Sequence, residues 1–212
     1  MTRHEQADRK GRDMLIFAGL GNPESKYLKN RHNAGFMTLD VIAAAHGFGP
    51  WREKFQAAIS EGLVQTIAGP KKALLMKPLT YYNNSGLAVR AAAEFYRVGP
   101  DAVTVFHDEL DLAPGKFRLK TGGGHGGNNG VRSIAAHIGA DFRRGRIGIG
   151  HPGDKNLVTN YVLSDLPKAD LVWFGALTDA IARSFPLLAG GELDAFQTRV
   201  THLAPAPGGQ ED

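Results

Sequence analysis

The chain has 212 residues, of which 42% are hydrophobic and 22% charged, enough apolar material for one sizeable core in one undivided domain. It has no cysteine, which excludes disulfide stapling, thiolate catalysis and cysteine-ligated zinc and leaves the fold to packing. A formal charge of +4 and a pI near 9.4 suit a polyanionic partner such as nucleic acid.

Residues 1–13, MTRHEQADRKGRD, mix both charges and lack the apolar stretch of a secretory signal. Glu5, Asp8 and Asp13 argue against an organelle transit segment, so these residues read as a disordered extension. No apolar run approaches membrane-spanning length, and a cytoplasmic protein is the expectation. Residues 14–20 are apolar and run into Gly19-Leu20-Gly21-Asn22-Pro23, a buried strand ending in a tight turn. In residues 34–46, Phe36, Leu39 and Ala43 with Met37, Val41 and Ala44 recur at helical spacing, Asn33 standing as the cap and Gly47 as the stop. Residues 58–67 and 73–76 are apolar stretches separated by Gly69-Pro70 in the manner of a hairpin. Residues 87–98 form an alanine-rich helix, opened by Asn84-Ser85 and closed by Gly99-Pro100.

Residues 103–106 predict a short strand whose far end delivers His107, Asp108 and Glu109 to a surface or cleft. Residues 116–120 alternate charged and apolar side chains, as a half-exposed strand does. A glycine-rich loop over 122–130 leads into a helix reaching His137, residues 146–150 make another strand, and helical patterning returns over 169–188. The end, residues 201–212, reads as a disordered tail. Strands alternating with helices predict an α/β fold over residues 14–200: a single-domain three-layer sandwich, a twisted mixed β-sheet flanked by helices, with its site at the carboxyl ends of strands.

Four segments could carry chemistry. Asn22-Pro23 and, further on, Arg31-His32-Asn33 can be a turn and a helix start, or can supply an amide and an imidazole. Residues 77–86, KPLTYYNNSG, approach a helix that Asn84 or Ser85 can cap, which leaves Asn83 spare. His107-Asp108-Glu109-Leu110-Asp111 reads as a solvated acidic turn, a catalytic acid or a carboxylate/histidine metal site, although consecutive residues at a strand end diverge in direction. The loop GGGHGGNNG over 122–130 formally contains G-x-G-x-x-G, but it does not follow the chain's first strand and is weak as a dinucleotide fingerprint. Its glycines and the helix start after it also suit a phosphate, with Arg132 just inside and Lys116, Arg118, Lys120, Arg143 and Arg144 as basic neighbours.

Taken in order, GLGNP, RHNAG, KPLTYYNNSG, HDELD and GGGHGGNNG resemble the bacterial peptidyl-tRNA hydrolase family, and the similarity extends through FRRGRIGIGHP to Tyr161-Val162-Leu163. The resemblance implies a monomeric α/β esterase acting on peptidyl-tRNA, with no metal, no cofactor and no membrane partner. By match, His32 and Asp108 are its catalytic pair, Asn22, Asn83 and Asn129 its amide residues, and Tyr27 and Tyr82 further substrate contacts. Which of Asn83 and Asn129 polarises the scissile carbonyl stays open. Three positions depart from the family's pattern: Asn128 where histidine is frequent, Tyr82 where methionine is common, and Glu24 where glycine is usual. The alternative is a non-catalytic RNA-binding relative that keeps the fold and the basic surface.

Overall fold

A computed structural model describes residues 14–207; the expected extension over 1–13 and residues 208–212 lie outside the described residues. Seven strands form one sheet in the order β2-β3-β4-β1-β5-β7-β6. They are β1 (Met14–Gly19), β2 (Arg52–Lys54), β3 (Ala57–Thr66), β4 (Gly69–Pro78), β5 (Val103–Glu109), β6 (Phe117–Thr121) and β7 (Arg143–Gly148). The central four, β4-β1-β5-β7, run parallel, and β2, β3 and β6 extend the two edges antiparallel. Strands covered on both faces need apolar side chains at successive positions rather than in alternation, and β1 and β5 are buried almost throughout.

Helices α1 (Ala34–Ala45), α5 (Asp170–Gly190) and α6 (Leu193–Leu203) cover one face, with Leu39, Ile42, Phe174, Leu177, Ile181, Phe185 and Phe196 packed against Phe17, Leu75, Phe106 and Ile147. Helices α2 (Ser85–Tyr96) and α3 (Asn129–Ile138) cover the other, where Val89, Ala92, Val131 and Ile134 meet Ile16, Ala18, Leu74, Met76 and Val105. This is the expected three-layer α/β sandwich. A short helix, α4 (Val158–Val162), stands beside the carboxyl ends of the parallel strands.

Several local expectations change. Asn33 makes no cap for α1; its amide instead accepts from the Asn22 N–H at 2.9 Å and donates to the Asn22 carbonyl at 3.0 Å, bracing the turn after β1. Neither Asn84 nor Ser85 caps α2, since the Ser85 hydroxyl donates back to the Tyr82 carbonyl. Gly69-Pro70 open β4 rather than separate the hairpin, whose turn is Ile67-Ala68. His107, Asp108 and Glu109 belong to β5 itself and are buried. Helix α5, at 21 residues, is long and apolar enough to cross a membrane by length and composition, which the sequence pattern did not suggest; half of it is buried inside the fold. Ordered structure passes the boundary drawn at residue 200, because α6 runs to Leu203 and Ala204 is buried against the core.

Two glycines let the layers close. A Cβ on Gly35, in the first turn of α1, would sit 2.3 Å from both the Leu20 nitrogen and the Phe106 carbonyl oxygen, and one on Gly19 would sit 2.4 Å from the Gly35 carbonyl oxygen. Only bare backbone fits there, and this close approach sets the start of α1 directly against the ends of β1 and β5.

Candidate active site

All the loops that follow the parallel strands open at one end of the sheet, where ligand sites form in such folds. Asn22 follows β1, residues 81–83 follow β4, Asp108 is the last residue but one of β5, and His151 follows β7. Together with the loop before α3 and with α4, they enclose a cleft of about 610 Å³, a size suited to a small ligand or one end of a large one. Its floor holds His32, Tyr82 and Asp108, and Asn22, Asn83, Asn128 and Asn129 stand around it.

His32 Nδ1 lies 2.8 Å from Asp108 Oδ2, across 76 residues of sequence. The carboxylate is 4% exposed, while the His32 side chain is 19% exposed. Burial alone would raise the Asp108 carboxyl, but the His32 charge and hydrogen bonds from His32 and Tyr82 outweigh it and hold the group below its usual range. An ionised Asp108 accepts the Nδ1 proton and so leaves Nε2 as the basic nitrogen. Asp108 Oδ1 accepts a second bond, from the Tyr82 hydroxyl at 2.5 Å.

The neighbours of Asp108 bond to other partners, although Glu109 also lines the cleft. Glu109 pairs with Arg146 at 2.8 Å, and His107 Nδ1 donates to the Asp108 carbonyl at 2.8 Å. Burial pushes the His107 imidazole below its ordinary range. Among the described residues, no three His, Asp or Glu side chains gather as a metal-holding group.

The carboxamides divide by role. Asn22 Oδ1 accepts the Tyr82 N–H at 3.0 Å, which leaves its NH2 as the group for a ligand. Asn83 and Asn129 are exposed along the cleft. Asn128 caps α3 by accepting from the Val131 N–H at 3.0 Å, and donates to the Tyr82 hydroxyl oxygen at 2.8 Å. Tyr82 lines the cleft floor at 2% exposure, with its hydroxyl enclosed by Asp108 and Asn128. Tyr27 lies outside the cleft lining, under Lys26.

Of the six basic residues, none lines the cleft. Lys116, Arg118, Lys120 and Arg132 are exposed, and Arg143 is half-buried. Arg144 departs from the expected phosphate role. It is 3% exposed and donates to the carbonyls of Gly123, Gly124 and Ala140, so its guanidinium pins the glycine-rich loop from within.

The far wall was missed in the sequence: His151, Lys155, Val158, Thr159, Val162 and Leu163 complete the cleft. Arg31, next to His32, ties this wall down. Its side chain donates to the Ser164 hydroxyl at 2.6 Å and the Asp165 carbonyl at 3.1 Å and lies over the Tyr161 ring, while Asn30 donates to the Leu163 carbonyl. Only the HP of GHP and the Tyr-Val-Leu run hinted at this wall, since a helix of five residues leaves little periodicity to read.

A family model described as peptidyl-tRNA hydrolase matches residues 16–206. The peptidyl-tRNA hydrolase of Maricaulis maris is 63% identical over 194 residues, covering 92% of this chain and 95% of its own. That of Hyphomonas neptunium is 58% identical, with 92% and 94% covered. A crystal structure of peptidyl-tRNA hydrolase from Acinetobacter baumannii superposes with a TM-score of 0.84 at 39% identity, covering 92% of this chain and 97% of that one. With the family's matched stretch reaching from β1 past α6, this chain belongs to the peptidyl-tRNA hydrolase family.

Proposed function

We propose that this chain hydrolyses the ester between a peptide and the ribose of tRNA, acting as a monomer in the cytoplasm. The observation that carries the reading is the His32–Asp108 bond on the floor of a cleft ringed by carboxamides. His32 Nε2 takes a proton from water as the water oxygen attacks the ester carbonyl, and Asp108 stabilises the imidazolium that forms. When the tetrahedral intermediate collapses, the C–O bond to ribose breaks and the imidazolium returns the proton to the leaving hydroxyl. A base so placed contributes roughly 10²–10⁴-fold in rate.

The Asn22 NH2, with Asn83 and Asn129, offers neutral donors and acceptors to a peptide's N–H and C=O. A free aminoacyl ester carries a charged amine instead, which these amides match poorly. Lys116, Arg118, Lys120 and Arg132 supply an exposed basic surface for the tRNA phosphates. His32, Asp108, Asn22 and Asn83 together serve ester chemistry; a binder without activity has no use for the set.

The test compares N-acetylaminoacyl-tRNA with unblocked aminoacyl-tRNA, using the wild type and His32→Ala. The expected result is strong preference for the blocked ester and near-complete loss in the variant. Equal cleavage of both esters would contradict amide recognition, and full activity in the variant would remove the proposed base.

A further inference from the structure

Tyr82 touches both members of the His32–Asp108 pair. Its ring stacks on the imidazole with centroids 3.5 Å apart and planes 8° from parallel, and its hydroxyl donates to Asp108 Oδ1 at 2.5 Å. Three features hold it in this place. The Asn22 side chain accepts its backbone N–H at 3.0 Å, Asn128 Nδ2 donates to its hydroxyl oxygen at 2.8 Å, and Gly130 leaves room for the ring, since a Cβ there would fall 2.6 Å from Tyr82 Cε1. Buried and doubly bonded, the phenol has no free face for a substrate.

We propose that Tyr82 is a positioning residue of the hydrolysis: its hydroxyl anchors one Asp108 oxygen so that the other faces His32, and its ring fixes the plane of the imidazole. This rests on the functional reading above and gives Tyr82 a role within it. A carboxylate held by one partner alone can rotate about its side chain and offer either oxygen. With Oδ1 tied to the phenol, Oδ2 stays on Nδ1, and Nε2 stays aimed into the cleft. Burial, and after it the Asp108 charge, raise the Tyr82 phenol well above its ordinary range, so it remains a donor whenever Asp108 is ionised.

The other charged or titratable groups around the pair are His107 and Glu109 on β5, Arg146 on β7 in an ion pair with Glu109, and Asp111, His151 and Lys155 along the cleft. All remain in every variant, so a difference in kcat between variants reports the Tyr82 side chain.

Steady-state hydrolysis of N-acetylaminoacyl-tRNA at neutral pH, with thermal unfolding alongside, tests this in wild type, Tyr82→Phe and Tyr82→Met. Tyr82→Phe keeps the stack and loses the donor. Its kcat falls about tenfold, the scale of one hydrogen bond to a charged group, and KM stays within about twofold. Tyr82→Met loses ring and donor together and falls about 10²-fold in kcat, as a slightly misplaced base does. A lowered Tm with wild-type kcat in Tyr82→Phe would reduce Tyr82 to packing and overturn the inference. A raised KM with kcat preserved would also overturn it, by making Tyr82 a substrate contact. A wild type inert toward the ester would remove the functional reading itself, an outcome distinct from either.

Discussion

Replacing Asp108 by Asn keeps the shape of the site and removes one charge. The Nδ1–Oδ2 distance of 2.8 Å places the carboxylate and imidazolium charge centres about 4 Å apart, where attraction amounts to about 4 kcal/mol at an effective dielectric of about 20. That attraction exists only once His32 has taken its proton, so its loss falls on the transition state, about 10³-fold in kcat with KM little changed. An Asn amide can also point its NH2 at Nδ1, which would move the ring proton to Nε2 and remove the base altogether. Stability responds to pH in a matching sense. The Asp108 carboxyl is held below its usual range: burial opposes this, but the His32 charge and the bonds from His32 and Tyr82 prevail. The stability it contributes is therefore present above about pH 4, near its unfolded value, and is lost as pH falls through the lower folded value. Single-turnover hydrolysis at neutral pH and denaturant titrations on the acid side measure the two effects. A variant keeping more than about a tenth of wild-type kcat would refute the proposed electrostatic role.

Gly35→Ala drives a methyl between backbone atoms 2.3 Å away; overpacking of this kind costs about 1–3 kcal/mol, seen as a Tm roughly 2–12 °C lower. Its kcat falls as well, because the displaced helix start follows directly on the turn that holds His32, and a wild-type Tm would show that the layers have slack there. Arg118→Ala weakens tRNA binding and lowers the slope of log K against log salt by about 1. Arg144→Ala instead lowers Tm and leaves that slope alone, since the guanidinium serves loop carbonyls. Equal slope losses in the two variants would return Arg144 to the phosphate surface.

The sequence was most legible where one physical requirement dominates. Buried parallel strands demand continuous apolar runs, so β1 and β5 stood out, and long amphipathic helices such as α1 and α5 showed their spacing. β2 escaped because its three residues, Arg52–Lys54, are all exposed. β7 was expected to begin at Arg146 because an arginine seldom enters a core strand; Arg144 does so by finding carbonyl partners in a loop twenty residues away. In the site, His32, Asp108 and the asparagines were readable from ordered motifs, whereas their mutual bonds depend on distant backbone. Nothing in Asn33 or Tyr82 as residue types told that one would brace Asn22 and the other would contact both His32 and Asp108. The far wall depends on α4, too short to announce itself.

The clasp between Asn30-Arg31 and residues 163–165 also bears on the order in which a ribosome delivers the chain. His32 and Asp108 are made first, and the helix that walls their cleft and the residues that fasten it come after position 157. Helix α5, which seals the core behind α1, comes later still. A nascent chain therefore carries both residues before it has an enclosed cleft to hold them in.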